Sequence, residues 1–298
     1  MRVRTLSDMR LPALLALVLI VACMPAPGGE VTTTSPETTT TSISAATTSS
    51  AVPTTQADVA CPPTTDFVDR GRVLASDQPT SDTNSLGLVT WQVEAGCERF
   101  EIEFETNEGA PATTPPTVVV EFLASRQILR IRTDVGSTVI TDQLVETPLV
   151  DRLFVVRALD GGMFVDFHLA GPSAARVSIS GSPARLTLEL QPAVDPIPAP
   201  AVISDRVVVL SPGDGTEAGA RVEVSGYART FEANVLVIAT SGDQVVANAN
   251  LTAADWAETW GEFRTTLPLP PGEVSIFVGE ESPEDGQLSG ATVVVTIQ

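Results

Sequence analysis

His168 is the one histidine of the 298-residue chain, and it stands two residues from Asp166. On a strand, a spacing of two puts both side chains on the same face. That is the placement of an acid–base pair. It is also the placement of a polar, solvent-facing pair on a strand whose other face, Val165, Phe167 and Leu169, belongs to the core. The second reading is preferred. A Ser-His-Asp site would have to use this single imidazole, and no G-x-S-x-G elbow occurs. The histidine count excludes zinc sites of the usual His-rich kind. No P-loop and no G-x-G-x-x-G following a strand is present. The densest acid cluster, Glu280, Glu281, Glu284 and Asp285, is a weak calcium candidate that lacks EF-hand spacing, so a solvated loop is preferred. Paired carboxylates can cleave glycans, but the outer faces of any sandwich carry acids. No catalytic residue, metal or cofactor is assigned.

The charge narrows the partners. The chain carries 17 basic residues, all arginine, against 37 acidic ones, a formal net charge of −20. The balance argues against nucleic acid as a partner, because its binding rests on neutralising phosphates. Broad contact with an anionic membrane surface is disfavoured too. The ordinary role of such a balance is a solubilising surface.

The N-terminus assigns a compartment. Arg2, Arg4 and Arg10 precede an apolar run over 11–21, a positive segment followed by a hydrophobic one of signal-peptide length. The run is short of the roughly 20 apolar residues that span a bilayer, and no later segment is long enough. It ends Ile20-Val21-Ala22-Cys23, which resembles the lipobox of bacterial lipoproteins. The resemblance implies a signal peptide over 1–22 and a Cys23 thiol joined to diacylglycerol as the first mature residue. The other reading is an ordinary secretory signal cut near Ala26-Pro27. Two or three acyl chains, at about 0.8 kcal/mol per buried methylene, anchor stably where one does not. The expected location is extracytoplasmic, lipid-anchored to the bacterial cell membrane and displayed at the cell surface. The expected membrane partner is reached through the lipid alone.

Residues 23–60 read as a disordered Thr/Ser/Pro-rich tether, since they hold too little apolar surface to offset ordering entropy. As a coil this tether spans on the order of 30 Å. Beyond it Cys61 and Cys97 are left as a pair in a compartment where disulfides persist. A Cys61–Cys97 bond would stabilise by roughly 4 kcal/mol in the chain-entropy model. The alternative is two buried thiols.

The remaining chain is expected to be all-β, with two β-sandwich domains. Over 61–191, short β-rich runs are expected at 88–94, 99–105, 117–122, 127–132, 138–144, 153–158, 163–169, 176–180 and 185–190. Turns such as Asp160-Gly161-Gly162 and Gly181-Ser182-Pro183 separate them. Gly96-Cys97-Glu98-Arg99-Phe100, Val155-Val156-Arg157, the 164–169 strand and Pro183-Ala184-Arg185-Leu186 resemble actinobacterial AMIN-like domains. That resemblance implies an envelope β-sandwich with peptidoglycan or another envelope component as ligand, and carries no catalytic residue. Residues 192–201 are a proline-rich, semi-rigid linker.

Over 202–298 seven strands are expected, at 206–210, 221–225, 234–240, 244–249, 261–267, 273–280 and 292–297. Seven in under 100 residues suits an immunoglobulin-like sandwich. Leu210-Ser211-Pro212, Val224-Ser225-Gly226-Tyr227-Ala228, Phe231-Glu232-Ala233-Asn234-Val235, Trp260-Gly261-Glu262-Phe263 and 279–286 resemble, in order, the immunoglobulin-like domain of bacterial spore germination proteins. The resemblance implies an extracytoplasmic binding or adhesion module. Phe231, Trp260 and Phe263 are expected in the core. Trp256, in the polar loop 252–259, is the candidate exposed ligand contact.

The expected function is a non-enzymatic cell-surface lipoprotein that binds peptidoglycan, another envelope polymer or an envelope protein. A carboxylate-dependent envelope hydrolase, and a structural spacer or partner subunit without its own ligand, are the alternatives.

Overall fold

In 97–105 the apolar residues Phe100, Ile102 and Phe104 are buried, while Glu101, Glu103 and Glu105 are half-exposed. A strand built this way must lay one face on another layer. The same alternation recurs along the chain, and all-β layering follows. The computed structural model describes residues 66–94 and 96–298. Cys23 and Cys61 lie outside the described residues, as do the expected signal peptide and tether.

The first eleven strands are β1 Arg72–Ser76, β2 Ser85–Glu94, β3 Cys97–Glu105, β4 Val118–Phe122, β5 Ile128–Thr133, β6 Ser137–Thr138, β7 Asp142–Leu144, β8 Val150–Arg157, β9 Met163–Leu169, β10 Ser173–Ser180 and β11 Arg185–Pro192. The other nine are β12 Val202–Ile203, β13 Val207–Ser211, β14 Thr216–Ala218, β15 Arg221–Ala228, β16 Asn234–Ser241, β17 Gln244–Thr252, β18 Trp260–Pro268, β19 Gly272–Glu281 and β20 Leu288–Ile297. A 3-10 turn, Phe231–Ala233, precedes β16. Most strands fall where alternation puts them. The expected 138–144 strand divides, because Thr138 bonds Ile140 through its hydroxyl and the chain changes sheets there. β6 pairs with β2 and β7 with β8.

A five-stranded sheet, β10-β11-β3-β2-β6, covers the first half of the fold. Another, β14-β20-β19-β16-β17, covers the second. Opposite both runs one ten-stranded sheet, β1-β4-β5-β9-β8-β18-β15-β13-β12, with β7 beside β8. Each half therefore makes a sandwich with its own core. Phe100, Ile102, Phe104, Val165 and Phe167 are central to the first, and Val224, Val235, Val237, Phe263 and Ile276 to the second.

The shared sheet is continuous because β8 and β18 pair in parallel, Trp260 opposite Val156 and Gly261 opposite Arg157. Gly261 is required there: a Cβ would lie 2.2 Å from the Asp255 backbone nitrogen. Side chains reinforce the joint. Thr259 donates its hydroxyl to the Val155 carbonyl. Arg157 pairs with Asp255 and Glu258, each at 3.2 Å. The Leu159 amide donates to Glu262 at 3.0 Å. The proline-rich segment after β11 thus connects two sandwiches that a sheet already joins.

Candidate functional site

β9 is buried along its whole length. Phe167 faces the first core, edge-on to Phe100 with centroids 5.1 Å apart. The opposite face, Phe164, Asp166 and His168, meets the second sandwich. This corrects the expectation that Asp166 and His168 face solvent: Asp166 is 0% exposed and His168 5%. A solvated face needs water on it, and here Tyr227 of β15 and Trp260 of β18 take that place. A third apolar cluster fills this seam: Ile128, Phe154, Val156, Phe164, Val208, Tyr227 and Trp260. Phe154 packs edge-on to Trp260 at 4.9 Å.

Within the seam the polar groups are partnered. Arg130 Nε and Nη2 donate to the two oxygens of Asp166, each at 2.7 Å. The guanidinium also lies 3.7 Å above the Phe164 ring. This bidentate geometry is the strong form of the pair. Burial raises the Asp166 carboxyl, against the pull of Arg130. Burial opposes the charge on Arg130, but the Asp166 carboxylate outweighs it and raises the guanidinium further. The Tyr227 hydroxyl contacts both Asp166 and His168 Nε2. A carboxylate only accepts, so Tyr227 donates to Asp166 and its oxygen accepts from His168 Nε2–H. Burial, and then Arg152 and Arg130, push His168 down to about 3. Burial and the Asp166 charge push Tyr227 up. The histidine is therefore neutral at ordinary pH and closed off from solvent. The arrangement holds charge in place and locks two sandwiches together; it has no reachable base.

The rim of the seam is different. Trp256 is 41% exposed, and Phe231, expected in the core, is 49% exposed. The correction for Phe231 has a local cause. Glu232 and Ala233 adopt positive φ, 54° and 60°, and this turn carries the preceding ring outward. The two rings meet edge to face, centroids 5.8 Å apart. Both loops are tied down. The Phe231 amide donates to Glu280 at 2.6 Å, and Glu280 also faces Arg206 at 3.4 Å. Asp255 Oδ1 accepts from the amides of Trp256, Ala257 and Glu258. Burial works against the Asp255 charge, but those amides and Arg157 outweigh it and hold its carboxyl below the ordinary value. Phe231, Trp256 and Trp260 line an open cleft of about 740 Å³ together with Asp142, Asp205, Arg206 and Arg229. Trp260, expected in the core, lies in the seam and donates its indole N–H to Asp142 at 3.2 Å. Phe263 is in the second core.

The acid cluster does not converge. Glu280 turns to Phe231 and Arg206, while Asp285 accepts from the Gln287 amide at 3.1 Å. Among the described residues no group of three or more His, Cys, Asp or Glu is placed to hold a metal ion, and Glu280, Glu281, Glu284 and Asp285, the weak calcium candidate, form no such group. Cys97 is buried and disulfide-bonded.

The seam was within reach of the sequence in one respect. Phe164 shares a strand face with Asp166 and His168, and a large aromatic on a nominally wet face marks a strand buried on both sides. The arginine that neutralises Asp166 lies 36 residues away, and nothing in the local pattern announces it.

The second half of the molecule is thus an immunoglobulin-like β-sandwich joined edge to edge to a first sandwich. Residues 206–287 match the Gmad2 family, the immunoglobulin-like domain of bacterial spore germination. No curated protein and no solved structure matches the chain.

Proposed function

We propose that this chain is a bacterial surface protein, anchored through Cys23, that binds an envelope glycan without cleaving it, peptidoglycan first among the candidates. The observation that carries the reading is the rim pair. Two large aromatic rings stand half out of solvent on loops that are hydrogen-bonded in place. Exposed apolar surface of this kind on a built loop is characteristic of contact sites. Flat aromatic faces suit the C–H faces of sugars. Arg206 and Arg229 beside them suit the carboxylates or phosphates of envelope polymers, and Asp142 and Asp205 suit hydroxyls. The AMIN-like resemblance of the first sandwich and the spore-germination resemblance of the second support an envelope setting. The burial and neutrality of His168 support a binding role over a catalytic one.

The test is sedimentation of the mature chain with purified peptidoglycan. Retention is expected, with loss of most of it in Trp256→Ala and in Phe231→Ala. Equal retention of both variants removes the rim from the proposal. Release of soluble fragments from labelled peptidoglycan would make the chain a hydrolase. Membrane fractionation of Cys23→Ser tests the anchor: the variant is expected in the soluble fraction, and its persistence in the membrane overturns that part.

A further inference from the structure

A second arginine lies four residues before Arg130, and its situation is the reverse. Arg126 is only 7% exposed. Its Nη1 donates to the carbonyl of Ser125, next to it in the chain, and its Nε–H has no acceptor. Burial alone acts on it, lowering its pKa, with no carboxylate compensating. A buried guanidinium without an acid is costly, and proteins ordinarily pair such groups. The head of this side chain reaches the second sandwich: a Cβ at Gly213 would come 3.3 Å from both Nη1 and Nη2.

Arg126 also lines a cavity of about 570 Å³. That size falls in the range of small-molecule sites, roughly 300–1,000 Å³. The wall is chiefly apolar and includes Leu123, Ile128, Leu169 and Ile197. The proline-rich segment closes one side through Pro196, Ile197 and Pro198. At the rim, the exposed Arg70 is shared by Asp69 and Asp195, which leaves that group with one net negative charge. The lining therefore holds one arginine with no acid partner and, in the Asp69, Arg70 and Asp195 group, one net negative charge.

We propose that this cavity binds a small amphipathic monocarboxylate, its head paired with Arg126 and its body on Leu123, Ile128, Leu169 and Ile197. A carboxylate matches the fork of the guanidinium, whose Nη2 makes no hydrogen bond among the described residues. A dianion is disfavoured by Asp69 and Asp195. An uncharged amphiphile of the same length leaves Arg126 as it is. The site is separate from the aromatic rim, and its occupancy does not depend on glycan binding.

Calorimetric titration of the mature chain with decanoate, decanol and decyl phosphate, each below its micelle concentration, decides the matter. Decanoate is expected to bind, with decanol at least about tenfold weaker, as the loss of a charge-assisted hydrogen bond in a buried site implies, and decyl phosphate weaker as well, because its second charge meets Asp69 and Asp195. Arg126→Met is expected to lose decanoate binding by a similar factor while melting at or above the parent temperature, since it removes an unpaired buried charge. Ile197→Trp, in the irregular segment, fills the cavity without touching either core and is expected to abolish binding with Arg126 intact. Decanol binding as tightly as decanoate, or undiminished decanoate binding in Arg126→Met, overturns the proposal. Should Arg126→Met fail to fold, Ile197→Trp decides: undiminished binding in that variant overturns it.

Discussion

Trp256 and Trp260 are four residues apart and lie in opposite surroundings. Trp260 is buried in the seam, edge-on to Phe154 and bonded to Asp142. Trp256 stands on the rim against Phe231. The interior of the seam is saturated: Arg130, Asp166, Tyr227 and His168 satisfy one another. The rim leaves the Trp256 and Phe231 rings partly exposed. Hydrophobicity does not separate the two tryptophans, since the residue type is the same. The separation comes from β18 beginning at Trp260, where pairing with β8 draws the chain into the shared sheet, while Asp255 holds the preceding turn outside it. A protein built this way can present a contact surface without loosening the joint behind it.

The largest way to break this contrast is Asp166→Ala, which leaves Arg130 buried and uncompensated. A loss of about 3–5 kcal/mol is expected, read as a lower urea midpoint. A loss under about 1 kcal/mol would show that the pair does not hold the seam. Tyr227→Phe removes one hydroxyl from two partners, and a loss of about 1–3 kcal/mol is expected by the same measurement.

The pH dependence sharpens the same point. Unfolded His168 takes up its proton near 6.5, and the folded one not until about 3. A group whose folded pKa is depressed in this way leaves stability intact above the unfolded value. Stability is then lost as pH falls through the window from 6.5 toward 3, because the unfolded state binds the proton first. Between pH 8 and pH 5 this group accounts for a fall of about 2 kcal/mol. His168→Gln is expected to flatten that part of the profile, measured as urea midpoint against pH. An unchanged slope would place the imidazole in contact with water.

The smallest effect on stability is expected at the rim. Trp256→Ala and Phe231→Ala should each shift the urea midpoint by no more than about 0.5 kcal/mol, as surface substitutions do, while losing retention on peptidoglycan. A large destabilisation would make the rim part of the core and close the contrast between the two tryptophans.

Much of the fold was legible in the strand alternation. Phe100-Glu101-Ile102-Glu103-Phe104-Glu105 announces a half-buried strand, and Asp160-Gly161-Gly162 the turn before β9. The short strands β6, β7, β12 and β14 were not legible as such, because two or three residues hold no period; neighbours in space assign them. Phe231 misled because an aromatic before a strand usually enters the core, and the positive φ of Glu232 and Ala233 is not announced by their residue types.

The sequence alone determined that the chain is all-β, that its net charge is strongly negative, and that one histidine is all the imidazole chemistry it has. Those properties are local or additive: alternation, composition and count survive without knowing what touches what. Only the tertiary structure decided that the two sandwiches share a sheet, that Asp166 and His168 are sealed within it, that Trp256 is offered to solvent, and that Arg126 is buried without an acid. Each of these depends on groups brought together from distant parts of the chain. Burial and partnering are properties of such meetings, and no stretch of sequence contains them.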